Sequence, residues 1–377
     1  MKEFSKGTGI VCEYNPFHNG HAYQIRTLKD MGAGFIVCAM SGCFVQRGEP
    51  AFQDKVIRAE NAVKNGADVV LEIPFPFSSF GAEGFARAGI SILENSGLCS
   101  SFGFGSECAD VEKLLAVADL LDEDFHKKTI DRQKNEPNLS YAPAREKLIE
   151  QELGREYADI VTLPNDILAV EYLKANKALY PIAVKRETPR GGFDESFASS
   201  SYIRNNIFDS ENGGFVRKNM PENCSFDGIV RDFEAFYNYL HISLMQKTVS
   251  ELSDVAEVNS GSEYAIIRNA AKAESYEELV SLLSSKTLTD AKIRRMLLFS
   301  LFGVTKQMSR STPLYTQVLA ASETGRKMLK QYACDRKIIV ASRIAEIKQN
   351  EDAFLQYSFA RRAEEVFARC IANLRKA

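Results

Sequence analysis

Several absences narrow the class of this 377-residue chain before any motif is considered. No apolar run approaches the ~20 residues needed to span a bilayer, so a membrane-spanning protein is not expected. The opening Met1-Lys2-Glu3-Phe4-Ser5-Lys6 has no apolar core of a secretory signal, and a cytoplasmic location is expected. Eight cysteines are scattered without a single Cys-x-x-Cys pair. That spacing points away from zinc ribbons and thioredoxin-type sites, and most of these thiols should act as small apolar residues. There is no internal repeat and no low-complexity segment. Nor is there a large charge surplus: a net charge of −3 argues against a globally basic nucleic-acid binder while allowing a local basic face. With 45% hydrophobic and 26% charged residues, the chain reads as globular and long enough for two or three domains.

Against this plain background one stretch stands out, Gly9-Ile10-Val11-Cys12-Glu13-Tyr14-Asn15-Pro16-Phe17-His18-Asn19-Gly20-His21. A short apolar run ends in a turn-rich loop, and a helical pattern begins at His-Asn-Gly-His. Strand, tight loop and helix start make an anion site, because the first backbone N–H groups and the helix dipole face the ligand. Two histidines flanking a glycine add donors for phosphate oxygens, and Gly20 lets backbone approach a ligand closely. A capping loop with two partly exposed histidines is the plainer alternative.

Taken in order, residues 7–13 read as a strand, 20–31 as a helix and 34–40 as a buried strand. The loop Ser41-Gly42-Cys43-Phe44-Val45-Gln46-Arg47-Gly48-Glu49-Pro50-Ala51 follows, at the strand edge where α/β proteins hold ligands. Arg47 there is either a phosphate or substrate contact or a surface arginine. A helix at 54–65, a strand at 67–74, a helix at 81–95 and a strand at 100–107 come next, with Gly105 at a strand-end turn. Residues 109–155 are helical in pattern with a break at 137–138. A helix opens near Pro164, with Asn165 or Asp166 as its cap. A strand ends at Lys185-Arg186. The cluster Ser199-Ser200-Ser201 then opens a helix carrying Arg204, which reads as a second phosphate cradle or a simple serine cap. The alternation predicts a doubly wound parallel sheet through about residue 205.

After about 215 strand signals fade and helical periodicity takes over. The expected organisation is a catalytic α/β domain over 1–215 and an all-helical domain over 216–377. An amphipathic helix around Lys292, Arg294 and Arg295 has a basic face. From 326 to the end, twelve basic residues stand against six acidic ones. These are either a nucleic-acid-binding face or ordinary solvated helix surface.

The His-x-Gly-His pattern resembles the signature of the nucleotidyltransferase superfamily, which implies a Rossmann-like, ATP-binding domain. The stretches CEYNPFHNGH, MSGCFVQRGEPA, FGSE, PNDILAVEYLKA, the VKR strand end, ASSSYIR and AKIRRMLL occur in the order seen in bacterial tRNA(Met) cytidine acetate ligases. The resemblance covers nearly the whole chain, tightly through residue 205 and loosely beyond. It implies that acetate is joined to ATP to give acetyl-adenylate and pyrophosphate. The acetyl group then passes to N4 of the wobble cytidine of elongator tRNA(Met), forming N4-acetylcytidine. The family's ATP-contacting segment falls on Val11, Cys12, Glu13, Tyr14, Asn15, Pro16, Phe17, His18, Asn19, Gly20, His21, Ala22, Tyr23 and Gln24. Its other nucleotide contacts fall on Gly105, Asn165 and Arg186.

His18 and His21 then serve as catalytic donors, and Arg47, Ser199, Ser200 and Arg204 as phosphate or substrate contacts. Lys292, Arg294 and Arg295 are candidate tRNA contacts. Mg²⁺ bridging phosphate oxygens is expected, without a dedicated carboxylate cage. Neither a membrane nor a protein partner is implied. Some positions depart from the family pattern. Cys43 stands where a larger polar residue is usual, Leu163 where lysine is common, and Asp166 where a second asparagine is common. Arg190 competes with Arg186 as the nucleotide contact. An acyl-thioester on Cys12 or Cys43 is chemically conceivable but needs an activating base. The alternative function is a small-molecule adenylyltransferase or a carboxylate–amine ligase such as pantothenate synthetase, which shares the N-terminal site.

Overall fold

The computed structural model describes residues 6–136, 139–186, 198–207, 213–230, 234–285 and 288–372. Its centre is a seven-stranded sheet in the order β5-β4-β1-β2-β3-β6-β7. The strands are β1 (Gly7–Cys12), β2 (Ile36–Ser41), β3 (Val69–Ile73), β4 (Cys99–Ser106), β5 (Tyr180–Lys185), β6 (Tyr315–Ala321) and β7 (Ile339–Ala341). The first five run parallel. The order reverses at β1, which lies between β2 and β4, and such a switch point opens a crevice at the C-terminal strand ends.

The helices in the N-terminal part are α1 (Asn19–Asp30), α2 (Lys55–Lys64), α3 (Ala82–Asn95), α4 (Val111–Leu120), α5 (Glu123–Asn135), α6 (Tyr141–Leu153), α7 (Arg155–Ile160), α8 (Pro164–Ala175) and α9 (Ser200–Asn206). Then follow α10 (Gly213–Lys218), α11 (Glu234–Gln246), α12 (Val249–Ser253), α13 (Ser262–Ala270), α14 (Tyr276–Leu283), α15 (Asp290–Phe302), α16 (Glu323–Gln331), α17 (Ile344–Ile347) and α18 (Glu351–Ala372). Alternate residues of β1 enter different cores, as the strand period of two requires. Val11 joins the large core with α3, α8 and the C-terminal helices. Ile10 and Cys12 join the second core with Ile25 and Leu28 of α1. None of the described helices is long and apolar enough to cross a membrane.

The expected class, a nucleotidyltransferase-like α/β sheet followed by a helix-rich region, is what the chain adopts. One detail differs. The C-terminal part is not all helix, because β6 returns antiparallel beside β3 and β7 adds parallel to β6. Only the first two residues of β6 are fully buried, and β7 has three residues. Neither carries enough alternating pattern to stand out in sequence. They cover the edge that β3 would otherwise expose. Thr316 donates its hydroxyl to the Glu72 carbonyl at 2.7 Å, and Ser322 donates to the Asp68 carboxylate at 2.9 Å.

The loop after β2 is the joint between the sheet and the C-terminal helices. Phe44 is fully buried and meets Phe75, Phe236, Phe302 and Phe367 at ring-centroid distances of 5.5, 6.1, 5.5 and 6.0 Å. Arg295 donates from Nε to both Glu257 carboxylate oxygens at 2.7 and 2.9 Å, and Arg294 pairs with Glu49. At Gly48 (φ +76°) a Cβ would come within 2.4 Å of the Arg295 amide, so only glycine lets the loop lie on α15. Beneath it, Lys55 bridges the buried Glu72, at 2.7 and 2.8 Å, and Glu364 of α18.

Candidate functional site

A cavity of about 370 Å³ opens at the switch point. The ends of β1, β4 and β5 form its base, and the first turns of α1, α8 and α9 converge on it. The loop that leaves β1 turns sharply at Tyr14, which adopts φ +47°. His18 then caps α1. The Gly20 amide donates to His18 Nδ1 at 3.1 Å, and the His18 amide donates to His21 Nδ1 at 3.2 Å. The two rings stack at 3.7 Å with 22° between planes.

These backbone partners settle the tautomers. Each Nδ1 accepts, so each neutral ring carries its proton on Nε2 as a free donor. Burial holds both rings neutral. It pushes His18 down to about 3, helped by the nearby Arg186 and Arg204. It also holds His21 well below its ordinary value, with His18 and Arg186 adding to the effect. A Cβ on Gly20 would lie 2.9 Å from the His18 ring, so glycine suits this cap.

Most of the sequence-predicted residues meet here. Val11, Cys12, Glu13, Tyr14, Asn15, His18, His21 and Gln24 line the cavity, as do Gly105, Asn165 and Arg186. Arg47, Ser199, Ser200 and Arg204 line it too. Pro16, Phe17, Asn19, Gly20, Ala22 and Tyr23 are not among the lining residues. Phe17 is fully buried in the second core, and the Asn19 amide side chain donates to the Lys218 carbonyl at 3.0 Å. Arg190 lies outside the described residues. Arg186 donates to Asn165 Oδ1 at 3.0 Å, and Asn165 Nδ2 donates to Glu107 at 2.6 Å. Arg204 donates to the Asn15 carbonyl at 2.7 Å and to Ser201 Oγ at 3.2 Å. Ser199 caps α9 by accepting from the Tyr202 amide, so it is helix cap and cavity wall at once.

The cap of α8 is neither Asn165 nor Asp166. Leu163 occupies that position with Pro164 at the first helical residue, so the first turn loses no needed donor. Asp166 is instead fully buried and accepts from the Ser106 hydroxyl and from the Glu107 and Cys108 amides, the latter two at 2.9 Å. It clamps α8 to the end of β4 and so sets the height of Asn165.

Sequence reading missed Arg58. It is fully buried, and its guanidinium donates to the Gln53, Glu13 and Gly42 carbonyls. It thereby locks the β1 loop to the β2 loop. Gln46 adds a second tie, its amide donating to Glu13 Oε1 at 2.8 Å. Also missed were Phe85, Phe104, Leu168 and Tyr172, which line the cavity from α3, β4 and α8. Apolar residues at helical spacing carry no signal that separates cavity wall from core.

Lys292, Arg294 and Arg295 sit on α15 behind the β2 loop, and the latter two are engaged in the ion pairs of the joint. A second cavity of about 360 Å³ adjoins the first through the shared residues Arg47, Ser201 and Arg204, and Arg294, Glu277, Tyr276 and Phe52 line it further out. The thiols of Cys12 and Cys43 are buried. Desolvation holds Cys12 well above its ordinary range and pushes Cys43 up to about 12, so both stay protonated and neither is primed as a nucleophile.

A family model described as HIGH nucleotidyl transferase matches residues 5–376. The tRNA(Met) cytidine acetate ligase of Thermoanaerobacter pseudethanolicus is 33% identical over 366 residues, covering 90% of this chain and 89% of that one. The enzyme of the same name from Lysinibacillus sphaericus is 34% identical, covering 90% of each. Among solved structures, Thermotoga maritima TmcAL bound with alpha-thio ATP aligns with TM-score 0.87 at 27% identity, over 97% of this chain and 95% of that chain. The match over nearly the whole chain and the identity to these relatives show that this chain belongs to the HIGH nucleotidyl transferase family, among the tRNA(Met) cytidine acetate ligases.

Proposed function

We propose that this chain is a cytoplasmic enzyme that activates acetate with ATP and transfers the acetyl group to N4 of the wobble cytidine of elongator tRNA(Met). The observation that carries the reading is the arrangement of donors around the cavity. Two Nε2–H groups, the Ser199–Ser201 turn and the guanidiniums of Arg186 and Arg204 all border one space. A triphosphate needs such a set, and fixed donors stabilise the charge that develops as pyrophosphate leaves.

In the first step an acetate oxygen attacks the α-phosphorus, and the bond to pyrophosphate breaks with its electron pair going to the leaving group. In the second, the cytidine amine attacks the acetyl carbonyl carbon. The carbon–oxygen bond to AMP then breaks and the amine proton leaves to solvent. Asn165 and Gly105 hold the nucleoside end of ATP, and Arg186, bonded to Asn165, contacts the nucleotide beside them. His18 and His21 hold the phosphates as hydrogen-bond donors. Mg²⁺ enters as part of the substrate, bound by phosphate oxygens; Glu13 is the carboxylate among the lining residues, so water and phosphate supply most ligands. Nucleotide chemistry belongs to residues 1–215, and surfaces of 216–377 face the tRNA. The second cavity, joined at Arg47, gives the acceptor base a route to the adenylate.

The test is acetate-dependent ATP–pyrophosphate exchange, followed by mass analysis of cytidine in tRNA(Met) incubated with acetate and ATP. Exchange together with an acetylated cytidine supports the proposal. Exchange without any modified tRNA refutes the second half and favours a small-molecule carboxylate ligase.

A further inference from the structure

Along α8 the lining changes character with depth. Asn165, Leu168 and Tyr172 are spaced three and four residues apart, so they lie on one stripe of the helix. From the first to the last, the stripe descends about 10 Å at 1.5 Å per residue. It starts at the polar Asn165–Arg186 pair and ends with Tyr172 against Phe104, and Val11 and Phe85 line the same cavity. This floor is rigid. Phe85 is 1% exposed, and the Phe104 and Tyr172 rings pack at 6.5 Å. Val11 presses on Gly89 so closely that a Cβ there would stand 2.4 Å from it.

Tyr172 is 5% exposed, yet among the described residues no hydrogen bond engages its hydroxyl. It borders the cavity, close to Cys12 and Glu13. Burial raises the phenol well above its ordinary range, so it remains a proton donor at any working pH. The hydroxyl is open to the cavity rather than sealed in the core, so a ligand that accepts from it gains a hydrogen bond at no packing cost, worth about 0.5–1.5 kcal/mol.

We infer that this floor is the acid subsite: the Tyr172 hydroxyl donates to the carboxylate of the acid, and Phe85 with Val11 and Leu168 closes on its methyl group. The inference rests on the acetate-activating reading above and adds the location and the selectivity device. A purine suits the floor poorly, because its edge alternates donors and acceptors and one hydroxyl cannot answer them. A carboxylate with a single methyl group suits it well. The non-attacking oxygen accepts from Tyr172, which keeps its proton throughout, while the other oxygen attacks the α-phosphorus. Longer acids would need volume that the Phe85 ring occupies.

The experiment is ATP–pyrophosphate exchange by the full-length protein with acetate, propionate and butyrate, varying acid and ATP separately. Wild type exchanging with none of these acids, with or without tRNA, would sink the acetate reading itself. Given wild-type exchange, Tyr172→Phe keeps the ring and the packing, and its KM for acetate should rise about tenfold with KM for ATP within about twofold. Phe85→Leu should raise the propionate-to-acetate ratio of kcat/KM by about tenfold or more, the usual worth of one methylene in an apolar pocket. If instead both variants raise KM for ATP and leave the acid ratio unchanged, the floor holds the base and the inference is wrong.

Discussion

Two loops leave neighbouring parallel strands in this molecule, and they are built in opposite ways. The β1 loop turns its polar groups to the cavity; its end is capped locally, while Arg58, Gln46, Phe52 and Arg204 tie its middle through hydrogen bonds to Glu13 and Asn15. His18, Gly20 and His21 cap one another within three residues. The β2 loop turns an apolar anchor away from the cavity and is held by distant partners. Phe44 meets Phe236, Phe302 and Phe367, and the loop is flanked by Glu49–Arg294 and Glu257–Arg295 pairs. The first loop ends in a polar cap that is made locally. The second is a mechanical joint that exists only when the C-terminal helices are in place, and Arg58 transmits its position to the first.

The comparison breaks most severely at Phe44. Phe44→Ala should cost about 3–5 kcal/mol in urea denaturation, the range for deleting a fully buried ring. It should also depress exchange, because the β1 loop leans on the same joint. His21→Ala should do the reverse. It should lose about 10²–10³-fold in exchange rate, the usual loss for one preorganised donor, with little change in the urea midpoint. An unaltered rate would return the histidines to the role of a mere cap.

Acid sharpens the same contrast. His18 binds its proton at about 3 in the folded chain and near 6.5 when unfolded, and His21 is shifted in the same direction. Below pH 6.5 the unfolded chain therefore binds more protons, so stability falls as pH falls from 6.5 toward 3. The slope is up to about 1.4 kcal/mol per pH unit for each histidine. A His18→Gln variant should show a shallower fall in urea midpoints between pH 7.5 and 5. The smallest effect is expected at the joint's ion pair. Glu257→Gln should cost about 1–2 kcal/mol, since it leaves the half-buried Arg295 with a weaker partner. Its tRNA affinity should be unchanged, because Glu257 serves the joint. A marked gain in tRNA binding on freeing Arg295 would instead give that arginine a place in the tRNA surface.

Much of the N-terminal half was legible because its signals are local. Strand, loop and helix follow one another within about 25 residues at β1, and the histidine spacing that makes the cap is visible as spacing. The strand ends at Gly105 and Arg186 were legible for the same reason. Asn165 and Asp166 both read as caps because such residues at a helix start usually are; only the nearness of β4 turns Asp166 into a clamp. Arg294 and Arg295 read as a basic face because their acidic partners, Glu49 and Glu257, lie 245 and 38 positions away in the chain.

By itself the sequence determined the parallel α/β half, the helix start with its histidine pair and the family, since each depends on residue order over short spans. The tertiary structure alone decided three further things. It closed the sheet with β6 and β7, it converted the basic residues of α15 into a joint, and it placed Tyr172 and Phe85 at the bottom of the cavity. Each depends on which surfaces meet after the chain has turned back on itself, and apolar or charged side chains look alike in sequence whichever surface they are to meet.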